Sequence, residues 1–597
     1  MGPLSRLNHY FWTYKWLFIP GLLCTMASAG FQISVPSVVR QTIDSIPRFV
    51  QVYGVFEGTV VHGQIYSYLF GTLLLFAGAI IGLSVISGLF MFLMRQTVVV
   101  ASRHIEYDLR NSLYDHLQTL SPRFYQEYST GDVITRATDD IEKVRRYIGP
   151  AIMYVTRSLV MVLTAVSVMF IISPKLTLYA LIPMPLLAVS VFFMARMVHW
   201  RSDRLQEQYS KVTSRVQEAL AGIRVLKAYT REDAESEAFD SESEEYKRRN
   251  LDLALVESAW RPAFLLMVGI STIIVVWMGG RLVAQGTITI GNIVEYVLYV
   301  SMMTWPVASL GFVITMIQRA SASVSRLHRI LDTTPDIADG TQTDESITEV
   351  EGRVTFRNVS FSYDEEQEPA LRDISFDLRP DQTLAIVGRT GAGKSTLVEM
   401  IPRLLEPSQG RVEVDGRDVR SIPLETLREN IGYVPQDVFL FSDTVANNIA
   451  FGKLDAEDRE AAGEADLLAN VKDFPNGFDT FVGERGITLS GGQKQRTSIA
   501  RALIRDPRIL IFDDALSAVD TATERNILKS LRERQGSHTL VIVSHRLSAV
   551  QEADLILVMD QGKIAERGTH EELMAENGVY ADLYEKQLLE EEIEAYG

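Results

Sequence analysis

Gly388-Arg389-Thr390-Gly391-Ala392-Gly393-Lys394-Ser395-Thr396 follows the apolar run Leu384 to Val387 and leads into Leu397, Val398, Met400 and Ile401 at helical spacing. Strand, glycine-rich turn and helix start together match the phosphate-binding loop G-x-x-x-x-G-K-[ST]. Glycines let the backbone curl so that its N–H groups and the helix N-terminus face a polyphosphate. Lys394 supplies a point charge to the β- and γ-phosphates of a nucleotide, and the Ser395 hydroxyl is a ligand for Mg²⁺. What a bound nucleotide drives has to be read from the rest of the chain.

At 597 residues the chain is too long for one core, and its length suggests roughly three or four domain equivalents. Hydrophobic residues make up 47% and charged residues 22%, but they are sharply partitioned. Apolar residues concentrate before about residue 320 and charged ones after it. The single cysteine, Cys24, lies in an apolar segment, which excludes a disulfide framework or a cysteine metal site. A net charge of −17 argues against a nucleic-acid partner.

A bilayer core takes about 20 apolar residues as helix. Six stretches qualify: 17–39, 63–94, 147–174 (interrupted only by Arg157), 176–195, 262–280 and 296–318. The segments Arg95 to Arg146 and Arg196 to Arg261 are rich in Arg and Lys, whereas the other connections hold few such residues. The positive-inside rule therefore places both termini in the cytoplasm, in a multi-pass protein of the cytoplasmic (inner) membrane. Leu4, Leu7, Phe11 and Tyr14 suggest an interfacial elbow helix ahead of the first span.

The two basic segments are too long for tight turns. Their helical patterns imply that membrane helices extend into the cytoplasm. Breaks at Ser121-Pro122 and Ala221-Gly222 would place short crosswise helices furthest from the membrane. The expected organisation is a transmembrane domain over 1–330, a polar linker over 331–350, a nucleotide-binding domain over 351–590 and an acidic tail over 591–597. Beyond the linker, strand-like and helical patterns alternate as in an α/β domain.

Ile509-Leu510-Ile511-Phe512-Asp513 reads as a buried strand that delivers a carboxylate beside the phosphates, where Asp513 would hold Mg²⁺ directly or through water. Val541 to Val543 reads as another strand, ending at Ser544-His545. Leu489-Ser490-Gly491-Gly492-Gln493 opens a helix and forms a second N-terminus suited to phosphate.

With these motifs together, the chain resembles the ATP-binding cassette (ABC) exporters over nearly its full length. The resemblance implies an all-α polytopic membrane domain, with six long helices, cytoplasmic extensions and coupling helices, followed by an α/β P-loop cassette. By that resemblance Tyr363 stacks on adenine, and Gln436 senses Mg²⁺ and the γ-phosphate. Leu489 to Gln493 is the signature that pins ATP bound to the opposite cassette, Asp520 belongs to the D-loop, and His545 is the switch histidine. Thr480 to Gly486 resembles the segment that touches the crosswise helices. Gly131 to Asp140 and Gly222 to Tyr229 resemble the family's first and second cytoplasmic loops. One membrane domain with one cassette is a half-transporter. Each ATP site takes a phosphate loop and a signature from different cassettes, so the expected working unit is a dimer.

One residue departs from the family. Glutamate usually follows the Mg²⁺ aspartate as the base that polarises the attacking water, and this chain has Asp514. Aspartate has similar basicity but is one methylene shorter, a displacement on the order of 1 Å that can cost about 100-fold in rate. The reading is one subunit of a heterodimeric exporter, with a degenerate site at its own phosphate loop and a competent site on a partner that carries glutamate. The retained His545 keeps a homodimer, as exporter or lipid flippase, open. The substrate expected from the family is an amphiphilic drug-like or lipid-like molecule. Arg157 in the third span and Met302, Thr304 and Trp305 in the sixth are candidates for its pathway. A soluble cassette protein acting on ribosomes or DNA is excluded by the six spans. A nucleotide-gated channel or regulatory subunit is the remaining alternative.

Overall fold

The structure is a computed structural model that describes residues 2–364, 368–453, 458–533, 538–546 and 550–596. Two compact units divide the chain, one formed by Met1–Gln118 with Ser129–Thr333 and the other by Thr119–Tyr128 with Thr334–Gly597.

Among the described residues of the first unit, five helices are long and apolar enough to cross a membrane: Lys15–Val55, His62–Thr119, Thr130–Ile172, Glu232–Ala284 and Ile290–Leu331. Four of them contain one of the apolar stretches whole and run beyond it, and Thr130–Ile172 covers the third stretch up to Ile172. The stretch over 176–195 is built differently. It is divided between helices Pro174–Leu181 and Pro183–Ala221, with Ile182 at the joint. Pro183 and Pro185 have no N–H to donate to the preceding turn, so the helical ladder breaks there. Ser173 ends the third crossing, and its side chain accepts the Leu176 N–H at 3.3 Å to start the next helix.

Tyr296 and Tyr299 are fully buried in this unit. The Tyr296 hydroxyl bonds to Ser173 O and Thr177 Oγ1, each at 3.0 Å, fastening the last helix to the third and fourth stretches. A π-type turn at Arg136–Asp140 interrupts the helix leading into the third stretch. Such a turn holds one extra residue and re-aims the side chains around it. Here it buries Asp140 against the last helix, where Asp140 accepts bonds from Ser323 Oγ at 2.9 Å and Arg326 Nε at 2.8 Å. A short helix over Ile223–Ala228 begins just after the break at Ala221-Gly222.

The second unit contains the other short helix, Pro122–Glu127, with Phe124 buried and Ser121 Oγ donating to Asp336 Oδ2 at 3.2 Å. Its first sheet is antiparallel and comprises β1 (Val354–Phe361), β2 (Leu371–Leu378), β4 (Gln409–Val414) and β5 (Arg417–Asp418), in the order β2-β1-β4-β5. Its second sheet comprises β3 (Thr383–Gly388), β6 (Ile431–Val434), β7 (Ile509–Asp513), β8 (Thr539–Val543), β9 (Leu555–Asp560) and β10 (Lys563–Gly568), in the order β10-β9-β3-β8-β7-β6. Pairs β9/β3, β3/β8, β8/β7 and β7/β6 are parallel, and β10 runs antiparallel to β9.

β3 is buried on both faces, as its unbroken apolar sequence requires. Leu384 and Ile386 join a core with the antiparallel sheet, while Ala385 and Val387 join the core formed with the helices. The final helix runs over Val579–Tyr596. Gly597 and the side chains of the expected acidic tail lie outside the described residues.

Candidate active site

Parallel pairing brings three carboxyl strand ends side by side. Ile386 on β3 pairs with Val543 on β8, and Val543 pairs with Asp513 on β7. Gly388, Ser544 and Asp513 therefore share the edge of the sheet where open α/β folds bind ligands.

Gly388 and Gly393 have φ of 147° and 92°, conformations that side chains disfavour. A Cβ on Gly388 would lie 2.2 Å from Met559 O, and one on Gly393 would lie 2.7 Å from Ala370 O. Between them Arg389, Thr390, Gly391 and Ala392 form the turn, and Lys394 to Val398 form the helix start. Lys394 is buried and its ammonium donates to Gly388 O at 2.8 Å and Arg389 O at 3.0 Å. Burial holds its pKa below the usual lysine value, with Asp514 and Asp513 pulling against that effect.

Ser395 Oγ donates to Asp513 Oδ1 at 3.0 Å. Asp513 is buried, and burial pushes its carboxyl above the ordinary aspartate value. The Ser395 hydrogen bond opposes that shift, and the neighbouring Asp514 charge adds to it. A hydroxyl and a desolvated carboxylate at contact distance are the hard oxygen donors that suit Mg²⁺. When bound there, the ion neutralises charge on the phosphate oxygens.

Asp514 is half-buried, with φ of 51°, and its N–H donates to Val543 O at 2.9 Å. The neighbouring strand thus fixes the backbone from which its carboxylate reaches. His545 follows β8 with its ring partly open to solvent. Burial, then the Lys394 charge, hold the imidazole below its usual pKa, while Asp514 acts in the opposite direction.

Tyr363 is half-exposed. Its hydroxyl lies 2.9 Å from Thr396 Oγ1, and its ring packs edge-on against Phe361. Gln436 lies just beyond β6 with its side chain exposed.

Ser490 caps helix Gly491–Leu503: its hydroxyl accepts from Gln493 N at 3.4 Å, and Gln493 Oε1 accepts from Ser490 N at 3.0 Å. A Cβ on Gly492 would lie 3.0 Å from Ala518 O, while Leu489 is buried beneath the cap. Asp520 caps the following helix, its carboxylate accepting from Ala522 N at 3.1 Å and Thr523 N at 3.0 Å.

Three residues absent from the sequence reading tie these parts together. Buried Gln495 donates to Ser517 Oγ at 3.2 Å and accepts from Ala518 N at 2.9 Å, joining the signature helix to the loop before Asp520. Arg546 donates to Val519 O at 2.8 Å, Ser517 O at 3.1 Å and Glu524 Oε2 at 3.0 Å, joining that same loop to the residue after His545. Tyr433, on β6, hydrogen-bonds Asp513, and burial pushes its phenol far up. Position next to a motif is the available signal for Gln495 and Arg546. Tyr433 looks like an ordinary strand residue.

Residues 17–307 match the family described as the ABC transporter transmembrane region, and residues 371–517 match that described as ABC transporter. The chain is 42% identical to the probable multidrug resistance ABC transporter ATP-binding/permease protein YheI of Bacillus subtilis, covering 81% of this chain and 83% of that protein. It belongs to the ABC transporters.

This ABC transporter is also 35% identical to the multidrug resistance-like ATP-binding protein MdlA of Escherichia coli, covering 99% of this chain and 97% of that protein. A bacterial Atm1-family ABC exporter with ATP bound has the same fold, with a TM-score of 0.78 and 26% identity over 96% of this chain and 98% of that one. The protein is thus an exporter-type half-transporter, and its cassette is an ATPase coupled to transport.

The candidate pathway residues are spread through the transporter's membrane unit. Arg157 Nη2 donates to Gln32 Oε1 at 3.0 Å, and Arg157 Nη1 lies 3.7 Å from Met91 Sδ. Met302 packs against the helical core beside buried Met303, and Thr304 Oγ1 donates to Val300 O at 3.2 Å. Trp305 is exposed.

Proposed function

We propose that this chain is one subunit of a heterodimeric exporter of amphiphilic molecules, in which its own phosphate loop builds a slow ATP site. Asp514 carries the proposal. It stands where a base must reach the water attacking the γ-phosphorus, on a backbone fixed to β8, with a side chain one methylene shorter than glutamate. In the competent site the partner's glutamate takes the proton of that water, and this chain contributes Ser490 to Gln493. Both termini and the cassette face the cytoplasm. ATP held between the two cassettes closes them, and hydrolysis with product release reopens them.

Exposed apolar residues support a dimer. Ile223 and Val225 on the short helix, and Phe439, Phe441 and Phe451 on the cassette, are exposed in the single chain. Surfaces of this kind mark sites that a partner covers.

A homodimer with two equivalent sites is the second reading, favoured by the intact signature and by His545 beside Lys394 and Asp514. ATPase activity of the purified chain separates the two. Little turnover alone, with turnover restored by a glutamate-bearing partner, supports the heterodimer, whereas brisk turnover alone establishes the homodimer.

A further inference from the structure

A cavity of about 490 Å³ lies within the membrane unit, lined by helices Pro183–Ala221, Glu232–Ala284 and Ile290–Leu331. That volume is in the range that accommodates a small ligand, about 300–1,000 Å³. Its lining is divided chemically. Met194, Val198, Ala308 and Phe312 form an apolar part, and His199, Glu257, Thr315 and Arg319 form a polar one.

The division follows the expected bilayer boundary. Met194 and Phe312 lie inside the fourth and sixth apolar stretches. Arg319 directly follows the sixth, His199 lies just past the fourth, and Glu257 just precedes the fifth. Charges of both signs thus stand at the end of an apolar recess.

Glu257 and Arg319 are the unusual pair. They line one cavity with opposite charge, yet among the described residues neither side chain, both exposed, enters a hydrogen bond or ion pair with the other or with anything else. His199 has a carboxylate of its own, Asp203 Oδ2 at 3.5 Å, for its charged form. Charged groups near a low-dielectric region gain most from a ligand that brings the complementary charge and hydrogen bonds.

We propose that this cavity binds a membrane-dissolved amphiphile with a zwitterionic head group, its cation on Glu257 and its anion on Arg319. The proposal rests on the exporter reading and names the substrate class that this exporter prefers. The tail lies along Met194, Val198 and Phe312. An anionic or cationic amphiphile satisfies one of the two charges and leaves the other facing a desolvated head group. Selectivity therefore resides in the pair.

Three probes with one tail test this: hexadecylphosphocholine, hexadecyltrimethylammonium and hexadecyl phosphate. Binding of each to the full chain in nanodiscs is measured without ATP. The native protein should bind the zwitterion tightest. Glu257→Gln should weaken zwitterion and cation about tenfold while sparing the anion, and Arg319→Gln should weaken zwitterion and anion while sparing the cation. Gly311→Leu, whose Cβ meets Ala195 Cβ at an ordinary 3.6 Å, should fill the recess and weaken all three. Unchanged head-group preference in both charge variants would overturn the site. So would variants that change only the association of the chain with a second copy, which would mean that a subunit occupies the cavity. Selective binding without ATP-dependent transport would retain the site and refute the export of this amphiphile class instead.

Discussion

Ser395 and Asp513 meet at 3.0 Å, hydroxyl to carboxylate, across the space between the phosphate loop and the end of β7. The contact joins two parts of the sequence by strand order alone: β3 and β7 flank β8, so the residues at their carboxyl ends converge. Asp513 is the deeper partner, and its raised carboxyl pKa is what a cation would lower again on binding. Asp513→Asn should therefore reduce Mg²⁺-dependent hydrolysis at this chain's own site, measured in a dimer whose partner site is disabled, by about 10²–10³-fold, the scale for losing one preorganised group at the developing charge. Binding of a fluorescent ATP analogue without Mg²⁺ should change little. Equal loss of both would mean that Asp513 maintains the loop and does not serve the metal.

Asp514→Glu should raise hydrolysis at this chain's own site in the mixed dimer, by up to about 100-fold if reach alone limits it. The gain has an opposing term. Asp514 has φ of 51°, a conformation that aspartate tolerates better than glutamate. The variant should thus also lose on the order of 1 kcal/mol of stability, read as a lower unfolding temperature. Stability loss without faster turnover would show that geometry is not the limitation.

Gln495→Ala should disable the partner's ATP site more than this chain's own. Gln495 bonds both Ser517 Oγ and Ala518 N, so its removal takes away both partners and frees the loop ahead of Asp520 from the signature helix. The cost to the cassette is about 0.5–1.5 kcal/mol per lost bond, because Ser517 and Ala518 are exposed and regain water. Measured in a mixed dimer whose only competent site lies on the partner, turnover should fall. Unchanged turnover would mean that the tie is structural only.

Much of this site was legible because its chemistry is local. A phosphate loop needs its glycines and Lys394 in one short run, and the signature needs Ser490 and Gln493 at cap spacing. The parts supplied by pairing were not legible. Nothing in the run Ile431 to Val434 marks Tyr433 as the phenol beside Asp513, because strand order determines that neighbour. The membrane unit divides similarly. Apolar length revealed the crossings, and Ser121-Pro122 and Ala221-Gly222 marked the starts of short helices. Arg136–Asp140 forms a π-type turn whose register depends on the last helix, and that dependence leaves no local trace. The joint at Ile182 was foreshadowed by Pro183 and Pro185, whose missing N–H groups outweigh the hydrophobicity around them.

Asp140 gives the polar helix end ahead of the third apolar stretch a defined pH response. Burial alone would raise its carboxyl, but bonds from Arg326 and Ser323 and the Arg326 charge outweigh burial and hold it below the usual aspartate value. A depressed carboxyl contributes stability above the unfolded pKa of about 3.9 and loses it as pH falls through the lower folded value. Hydrogen-exchange protection of residues 136–146 should therefore be flat between about pH 8 and 5. Asp140→Asn should lower it throughout that range. Arg326 is 40% exposed, so solvent screening limits the loss to about 1–2 kcal/mol.

Glu295 should be the most costly single truncation in the membrane unit. It is fully buried at the start of the last apolar stretch, and it accepts from Ser37 Oγ at 2.7 Å, Tyr299 OH at 3.2 Å and Asn292 Nδ2 at 3.3 Å, with Arg40 Nε at 3.5 Å. Ser37 and Arg40 lie on the first long helix and the others on the last, so the carboxylate fastens the two together. Glu295→Ala leaves Arg40 without its counter-ion and Asn292 Nδ2 without this acceptor, while Ser37 and Tyr299 keep each other and Ile33 O, a cost of about 3–5 kcal/mol. Arg40→Met should cost less, because Glu295 then loses its counter-ion but keeps the hydrogen bonds from Ser37, Asn292 and Tyr299. The double variant should cost less than the two singles added, because removing both charges leaves neither stranded. Unfolding of all four proteins in nanodiscs measures that difference. Simple additivity would mean that the pair is not coupled and that the hydroxyls of Ser37 and Tyr299 hold Glu295 on their own.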